Sequence, residues 1–143
     1  EAWDDVLAVN LKGCFNFAHA AIPAFRAQRW GRVVAVSSIN GLRGKFGQAN
    51  YAASKAGLVG LAKTLARELG AFGVTVNVVA PGMVLTEMAR TLPAEAVEAA
   101  RKEGVTGRLV APAEVAAAVT FLCSGQAGSI TGETVRVDGG QYI

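Results

Sequence analysis

The sequence predicts an α/β fold with a parallel, doubly wound sheet. Three short runs that are rich in β-branched residues, at 32–38, 74–80 and 134–138, alternate with longer stretches of helical periodicity. We expect the three runs to be strands. Strands that alternate with helices form parallel sheets with helices on both faces, which is the basis of this prediction.

The first half of the chain alternates a helix, a strand and a second helix. Apolar residues recur at three-to-four spacing over 1–29, which predicts a long helix. The strand 32–38 follows, and then a glycine-bearing loop over 39–49. A second long helix is expected over 50–71 and carries an apolar stripe. The stripe consists of Leu58, Leu61, Leu65 and Leu69.

The second half repeats the alternation. The strand 74–80 ends in a loop, and short helices are expected at 86–91 and 93–102. A helix over 111–124 then leads to the last strand, 134–138. Each connection between strands thus contains helix, as a parallel sheet requires.

Composition places the chain among compact globular proteins. Hydrophobic residues make up 52% and charged residues 17% of the sequence, which favours a substantial core and one domain over 1–143. The net charge of +3 is modest and the basic residues are scattered, so we expect no nucleic-acid partner. No stretch of eighteen uncharged apolar residues occurs, so we expect no membrane span.

The few thiols and the single histidine give no support to a metal site. Cys14 and Cys123 stand alone within apolar helical stretches, which favours buried thiols in a reducing, cytoplasmic compartment. A disulfide between them is the alternative that the sequence leaves open. His19 lies in mid-helix without a cluster of ligating residues around it. We therefore expect no metal.

Tyr51 and Lys55 form the clearest chemical pattern. Four residues apart on a helix, they lie on one face and can share a site. A positive charge beside a phenol favours the phenolate, so such a tyrosine can exchange a proton with a substrate oxygen. Ser38 stands at the C-terminal end of a predicted parallel strand, where open α/β sheets bind ligands. A solvated helix face without function is the alternative for the pair alone.

Five segments in the same order resemble the C-terminal part of the short-chain dehydrogenase/reductase family. Ser38, Tyr51 and Lys55 match the catalytic residues of that family at the usual spacing. The resemblance implies a Rossmann-like domain in an oxidoreductase that uses NADPH or NADH, with NADPH favoured. The remaining matches are Asn10-Leu11-Lys12-Gly13, Asn77-Val78-Val79-Ala80-Pro81-Gly82 with Thr86, Thr131-Gly132-Glu133, and Val137-Asp138-Gly139-Gly140.

The resemblance implies a role for each catalytic residue. Tyr51 protonates the carbonyl oxygen as hydride reaches the carbon. Lys55 favours the phenolate of Tyr51 and holds the ribose of the nicotinamide. Ser38 hydrogen-bonds the substrate oxygen and stabilises its developing charge. Asn10 either holds a water in a proton relay or only kinks its helix.

A second loop is implied to bind the cofactor. Pro81, Gly82 and Val84 resemble the backbone that faces the nicotinamide carboxamide. Thr86 resembles a hydroxyl that contacts the carboxamide or a phosphate. Thr86 can also cap the short helix that follows, and both roles are compatible.

The dinucleotide-binding half of such a fold is not found in the sequence. That half needs a glycine-rich turn before a helix N-terminus. The glycines of 41–47 lie three apart without a Gly-x-Gly step, and the resemblance places this segment at the rim of the active site. We therefore expect an incomplete Rossmann-like domain that belongs to a longer polypeptide. The strand 32–38 would then lack a neighbour.

Within the family, the chain most resembles bacterial 3-oxoacyl thioester reductases, which act in fatty acid biosynthesis. The resemblance implies a small-molecule carbonyl substrate carried on coenzyme A or acyl carrier protein. Four basic residues are expected to form a rim for such an anionic carrier, although Phe72 stands where these reductases often have a basic residue. The segments that carry this likeness are 30–34, 37–41, 46–51 and 130–134, and the rim residues are Arg26, Arg29, Arg43 and Lys45.

Three alternatives stay open from the sequence. The protein can be a sugar or secondary-alcohol dehydrogenase of the same family. It can also be a catalytically silent piece that only associates, through helices at 15–26 and 58–69 and a tail at 131–143 that resemble the interfaces of a dimer or tetramer. The segment 87–107 is either a lid over the substrate or a core helix.

Overall fold

A three-stranded parallel sheet forms the centre of the protein. The computed structural model describes residues 2–143 and, at residue 90, the backbone alone. The strands are β1 (Gly31–Val36), β2 (Val74–Pro81) and β3 (Thr134–Val137), in the order β1-β2-β3. Both pairings are parallel, and β2 is buried along its whole length. The predicted parallel α/β fold is confirmed.

Within residues 2–143, seven α-helices connect and cover the strands. A π-helical stretch, Ala8–Lys12, joins the first two helices, and 3₁₀ turns occupy Gly70–Phe72 and Gly125–Ala127. The helices are α1 (Ala2–Leu7), α2 (Gly13–Gln28), α3 (Ile39–Arg43), α4 (Ala49–Leu69), α5 (Glu87–Arg90), α6 (Ala94–Glu103) and α7 (Pro112–Cys123).

Helices pack on both faces of the sheet because successive buried side chains of β2 point to opposite faces. Val76 and Val78 belong to the core on one face, with Leu58, Leu65 and Leu69 of α4. On the other face, Val79 packs with Leu122 of α7 and with Ala127. The sheet is therefore covered on both sides, as in doubly wound folds.

The connection after β1 differs from the sequence prediction. The strand was expected to reach Ser38, but it ends at Val36, and the expected loop over 39–49 contains α3. The reason is a local cap, because the Ser38 side chain accepts a hydrogen bond from the Asn40 amide at 3.1 Å. Ser38 thus begins a helix two residues after the strand has ended.

The outer edge of β1 is exposed. The run of valines predicted a buried strand, yet Val36 is 47% exposed, and Val33 and Val34 are only half-buried. β1 pairs with β2 on one side, and within residues 2–143 no strand lies along its other edge. An apolar strand edge of this kind is a template for further pairing.

Both cysteines are free thiols. Cys123 is exposed and Cys14 half-buried, so the prediction that both are buried is wrong for Cys123. No described helix has the length and apolar character to cross a membrane. The described residues also hold no group of three His, Cys, Asp or Glu side chains suited to a metal ion.

Candidate active site

Tyr51 and Lys55 lie together on the first turns of α4. The Lys55 ammonium is 5.7 Å from the centroid of the Tyr51 ring. The i, i+4 spacing places both side chains on the face of the helix that borders the end of β1. The positive charge is thus held close to the phenol, as the sequence predicted from spacing alone.

Lys55 is fixed by the end of β1 and partly withdrawn from water. Its Nζ donates a hydrogen bond to the Val36 carbonyl at 2.9 Å. Burial lowers the pKa of Lys55 from its ordinary value, and the nearby Cys14 acts in the opposite direction. Burial also raises the pKa of Cys14, while Lys55 opposes that rise. Desolvation strengthens the field of the ammonium at neighbouring groups.

Ser38 is brought to the same region by the packing of its segment on α4. Ser37 Oγ donates to the Lys55 carbonyl at 2.8 Å. Gly41 lies so close that an added Cβ would be 2.8 Å from the Lys55 backbone. The segment that carries Ser38 therefore sits directly against the turn of α4 that carries Lys55.

Asn10 lies in the middle of the π-helical stretch Ala8–Lys12. Its Nδ2 donates to Ser54 Oγ at 3.1 Å, and Ser54 Oγ in turn donates to the Tyr51 carbonyl at 2.8 Å. π-Helical stretches inside α-helices are common at functional sites. The π-helical stretch at Asn10 is thus joined to the Tyr51 turn through Ser54.

The loop after β2, residues 81–86, lies at the same edge of the sheet. Gly82 N donates to the Val137 carbonyl at 3.0 Å, and Val84 forms a bridge with Val110. Thr86 Oγ1 accepts from the Ala89 amide at 3.3 Å, so the predicted cap of the short helix is confirmed. The loop is held in place at both of its ends.

A cavity of about 330 Å³ lies between the loops that follow β1 and β2. Ile39 and Asn40 line it from α3, next to Ser38, and Gly82 and Met83 line it from the second loop. Ala100 of α6 closes it on the opposite side. Ser38, Tyr51 and Lys55 all lie outside this lining, and the cavity adjoins the residues that follow Ser38.

The four basic residues expected as one rim lie in two places. The guanidinium groups of Arg26 and Arg29 lie 5.0 and 5.9 Å from the centroid of the Phe72 ring, just before β2 begins. Arg43 and Lys45 line the cavity beyond the other end of β2. Eight residues of strand span roughly 26 Å. The expectation of a single basic rim is therefore wrong.

Sequence reasoning missed several polar residues around the cavity. Glu103, which forms an ion pair with Arg43 at 2.6 Å, was not singled out. Nor was Gln141, which is buried between Met83 and α6. Ser54 is fully buried behind Tyr51. For Ser54 a signal existed, since it is a polar residue on the inward face of a helix. For Gln141 the only signal was its place after the Asp138-Gly139-Gly140 turn.

The chain is similar to known reductases over its whole length. A family model described as Enoyl-(Acyl carrier protein) reductase matches residues 1–141. The 3-oxoacyl-[acyl-carrier-protein] reductases FabG of Escherichia coli (strain K12) and Thermotoga maritima are 45% and 46% identical over 143 residues. The acetoacetyl-CoA reductase of Rhizobium meliloti is 47% identical over 144 residues.

These matches cover 100% of this chain but only 59%, 58% and 60% of the three relatives, respectively. The chain thus spans about three fifths of the length of the curated relatives that it matches, and it corresponds to their C-terminal part. The fold and the ordered motifs agree with that placement. The chain belongs to the short-chain dehydrogenase/reductase family.

Proposed function

We propose that this chain carries the catalytic part of an NAD(P)-dependent oxidoreductase that reduces a 3-oxoacyl thioester to the 3-hydroxyacyl thioester. The observation that carries the proposal is the Lys55 ammonium, 5.7 Å from the Tyr51 ring, with the Ser38 segment packed on the same turn. This arrangement supplies a proton donor and a hydroxyl at the carboxyl edge of a parallel sheet.

The roles of the residues follow from their chemistry. Tyr51 holds a proton on its phenolic oxygen and delivers it to the carbonyl oxygen of the substrate. Ser38 donates a hydrogen bond to that same oxygen and stabilises the charge that develops there. Lys55 favours the phenolate that remains after proton transfer. Asn10 holds the α4 turn through Ser54, and a proton relay through Asn10 is compatible with that position.

The hydrogen-bond donors of the proposed site fit the nicotinamide half of a dinucleotide. An ammonium has three N–H donors, and the one hydrogen bond found for Lys55 among the described residues goes to Val36. Lys55 would hold the ribose hydroxyls, while Pro81, Gly82, Val84 and Thr86 would face the carboxamide. When bound, the reduced nicotinamide supplies the hydride. We propose NADPH or NADH, with NADPH favoured.

The thioester substrate is proposed from the relatives and from the cavity. The relatives are named 3-oxoacyl-[acyl-carrier-protein] reductase and acetoacetyl-CoA reductase. Arg43 and Lys45 place basic side chains at a cavity of mixed polar and apolar lining, where Arg43 is paired with Glu103 and Lys45 adds a second positive charge. Basic groups there favour an anionic carrier such as coenzyme A or acyl carrier protein. This assignment places the reaction in fatty acid biosynthesis.

We also propose that residues 1–143 form one domain together with a further βαβαβ half. That half would supply a strand beside β1, whose outer edge leaves Val36 47% exposed. It would also supply the glycine-rich turn that binds the pyrophosphate. Measuring the intact mass of the protein in its source tests this, because an active protein of 14.7 kDa would contradict it.

A homo-oligomer, dimer or tetramer, is proposed from the outer face of the helices. Leu7, Leu11, Phe15 and Leu61 line an open apolar groove between α1–α2 and α4. Phe15 is 45% exposed there. Exposed apolar area of this kind on a helix pair fits a second copy of the same chain.

The proposed activity is tested on the complete protein by following the oxidation of NADPH. Turnover of acetoacetyl-coenzyme A well above that of cyclohexanone or a sugar ketone supports a thioester reductase. The reverse preference favours a sugar or secondary-alcohol dehydrogenase. If the protein does not bind NADPH saturably but still forms oligomers, the result favours a catalytically silent piece that only associates. Comparison of one acyl group on coenzyme A and on acyl carrier protein identifies the carrier.

A further inference from the structure

Gln141 connects two parts of the proposed site through one buried carboxamide. Its Oε1 accepts a hydrogen bond from the Met83 amide at 2.6 Å, in the loop after β2. Its Nε2 donates to the Ala100 carbonyl at 3.0 Å and to Glu103 Oε2 at 3.3 Å, both on α6. Gln141 itself is 8% exposed. A single side chain thus holds the loop and the helix at a fixed separation.

The connection extends to α3, which begins at Ser38. Arg43 donates to both oxygens of Glu103, at 2.6 and 3.1 Å, and to the Gln141 carbonyl at 3.2 Å. Hydrogen bonds between a guanidinium and a carboxylate in this paired geometry are among the stronger ones in proteins. The segments that follow all three strands are therefore joined in one polar network.

The chemistry at Gln141 requires an acceptor on one side and a donor on the other. The Met83 amide needs an acceptor, whereas the Ala100 carbonyl needs a donor, and a carboxamide offers both. Close packing fixes the position further, because a Cβ on Gly82 would lie 2.1 Å from Gln141 Oε1. A glutamate at this position would keep the acceptor alone, and a leucine would keep neither.

We propose that Gln141 is a positioning residue that couples cofactor binding to thioester binding. This inference rests on the proposed function. The loop 81–86 is the segment proposed to face the nicotinamide, and α6 closes the cavity proposed for the substrate. Since Gln141 holds both, occupation of one site favours the arrangement that the other site needs. Coupling of this kind typically changes affinity about 5-fold or more.

The test compares Gln141→Leu, Gln141→Glu and a control, Gln126→Leu, in the complete protein. Gln126 is exposed, and the hydrogen bond found near it uses its backbone amide. The dissociation constant of acetoacetyl-coenzyme A is measured with and without NADP⁺, by calorimetry. The ratio of the two constants is the coupling factor. Hydrogen exchange of peptides covering 81–86 and 94–103 is measured in the absence of both ligands.

We expect the coupling factor of Gln141→Leu to fall to within about twofold of one. Hydrogen exchange should become faster in both segments of Gln141→Leu, because the Met83 amide loses its acceptor. In Gln141→Glu, the acceptor for Met83 remains, whereas the donors to α6 are gone and the new carboxylate is repelled by Glu103 on α6. NADP⁺ affinity should therefore stay near that of the parent while the coupling is lost. Gln126→Leu should match the parent in every measurement.

Parent-like coupling in either Gln141 variant would overturn the proposed role of Gln141 while leaving the reductase assignment intact. Should Gln141→Leu fail to fold, Gln141→Glu alone tests the proposal. Parent-like NADP⁺ affinity together with a lost coupling factor is not expected from a general loss of structure. A parent that binds neither NADP⁺ nor the thioester would overturn the proposed function and, with it, this inference.

Discussion

Asn10 and Ser54, 44 residues apart, are joined by a hydrogen bond of 3.1 Å between Nδ2 and Oγ. Asn10 lies in a π-helical stretch, and Ser54 is fully buried on the turn of α4 between Tyr51 and Lys55. The irregular helix therefore contacts the proposed catalytic turn through a partly buried hydrogen bond.

Asn10→Ala is expected to lower the free energy of unfolding by about 1 kcal/mol, because it removes the hydrogen bond that the buried Ser54 hydroxyl accepts, while the bond that this hydroxyl donates to the Tyr51 carbonyl remains. Urea unfolding of the complete protein measures this. Asn16→Ala, at an exposed position on α2, is the matched control and should change stability little. An equal loss in both variants would contradict a specific role for the Asn10–Ser54 bond.

Tyr51→Phe should reduce kcat by roughly 10²-fold or more, the usual contribution of a positioned proton donor. The ring is kept, so the dissociation constant of NADPH should change little. Steady-state kinetics and fluorescence titration measure the two quantities. Tyr142→Phe removes the other phenol of the chain and should leave kcat unchanged. Full activity of Tyr51→Phe would refute the proposed proton donor.

Lys55→Met should weaken NADPH binding by roughly 10-fold or more, because a hydrogen bond from a charged donor is lost. It should lower kcat as well, since the ammonium beside Tyr51 disappears. Lys63→Met, exposed on the same helix, provides the control for charge and helix content. Unchanged affinity and turnover in Lys55→Met would show that the ammonium acts on neither the cofactor nor the phenol.

Phe15→Glu should shift the proposed oligomer toward smaller species, because it places a charge on the face of α2 that lines the apolar groove with α4. Light scattering coupled to size-exclusion chromatography measures the mass. Phe46→Glu is the control, since Phe46 is fully exposed on the loop after α3, away from that face. If Phe15→Glu keeps the parent's mass, association does not use this surface.

Acid should weaken the fold through Glu114. The Arg108 guanidinium, which donates at 2.7 and 2.8 Å, and then the Ala111 amide lower the pKa of Glu114 to about 2 from an ordinary 4.5. A carboxyl whose pKa is lower in the folded state stabilises the fold above pH 4.5. That stabilisation is lost as the pH falls from 4.5 toward 2.

NMR titration of Glu114 should give a midpoint near 2. Glu114→Gln should flatten the dependence of unfolding free energy on pH between 4.5 and 2, and Glu95→Gln, exposed on α6, should not. A midpoint near 4.5 would mean that the ion pair with Arg108 does not persist in solution.

The sequence was sufficient for features that depend on local periodicity. Valine-rich runs predicted the three strands, and three-to-four spacing predicted α4 to within two residues at each end. The same helical geometry placed Lys55 beside Tyr51. The sequence was less reliable at the end of β1. There the Ser38 cap starts α3 in a segment whose glycines suggested a loop.

What the sequence determined by itself is the order of strands and helices, the Tyr51–Lys55 pair and the motifs of its family, because each of these lies within a few consecutive residues. The tertiary structure alone decided which distant polar groups meet. Gln141 reaches Met83 across 58 residues and Arg43 reaches Glu103 across 60. Such contacts depend on how helices pack on the sheet, and no periodicity along the chain encodes the distance between two elements that are separated by others.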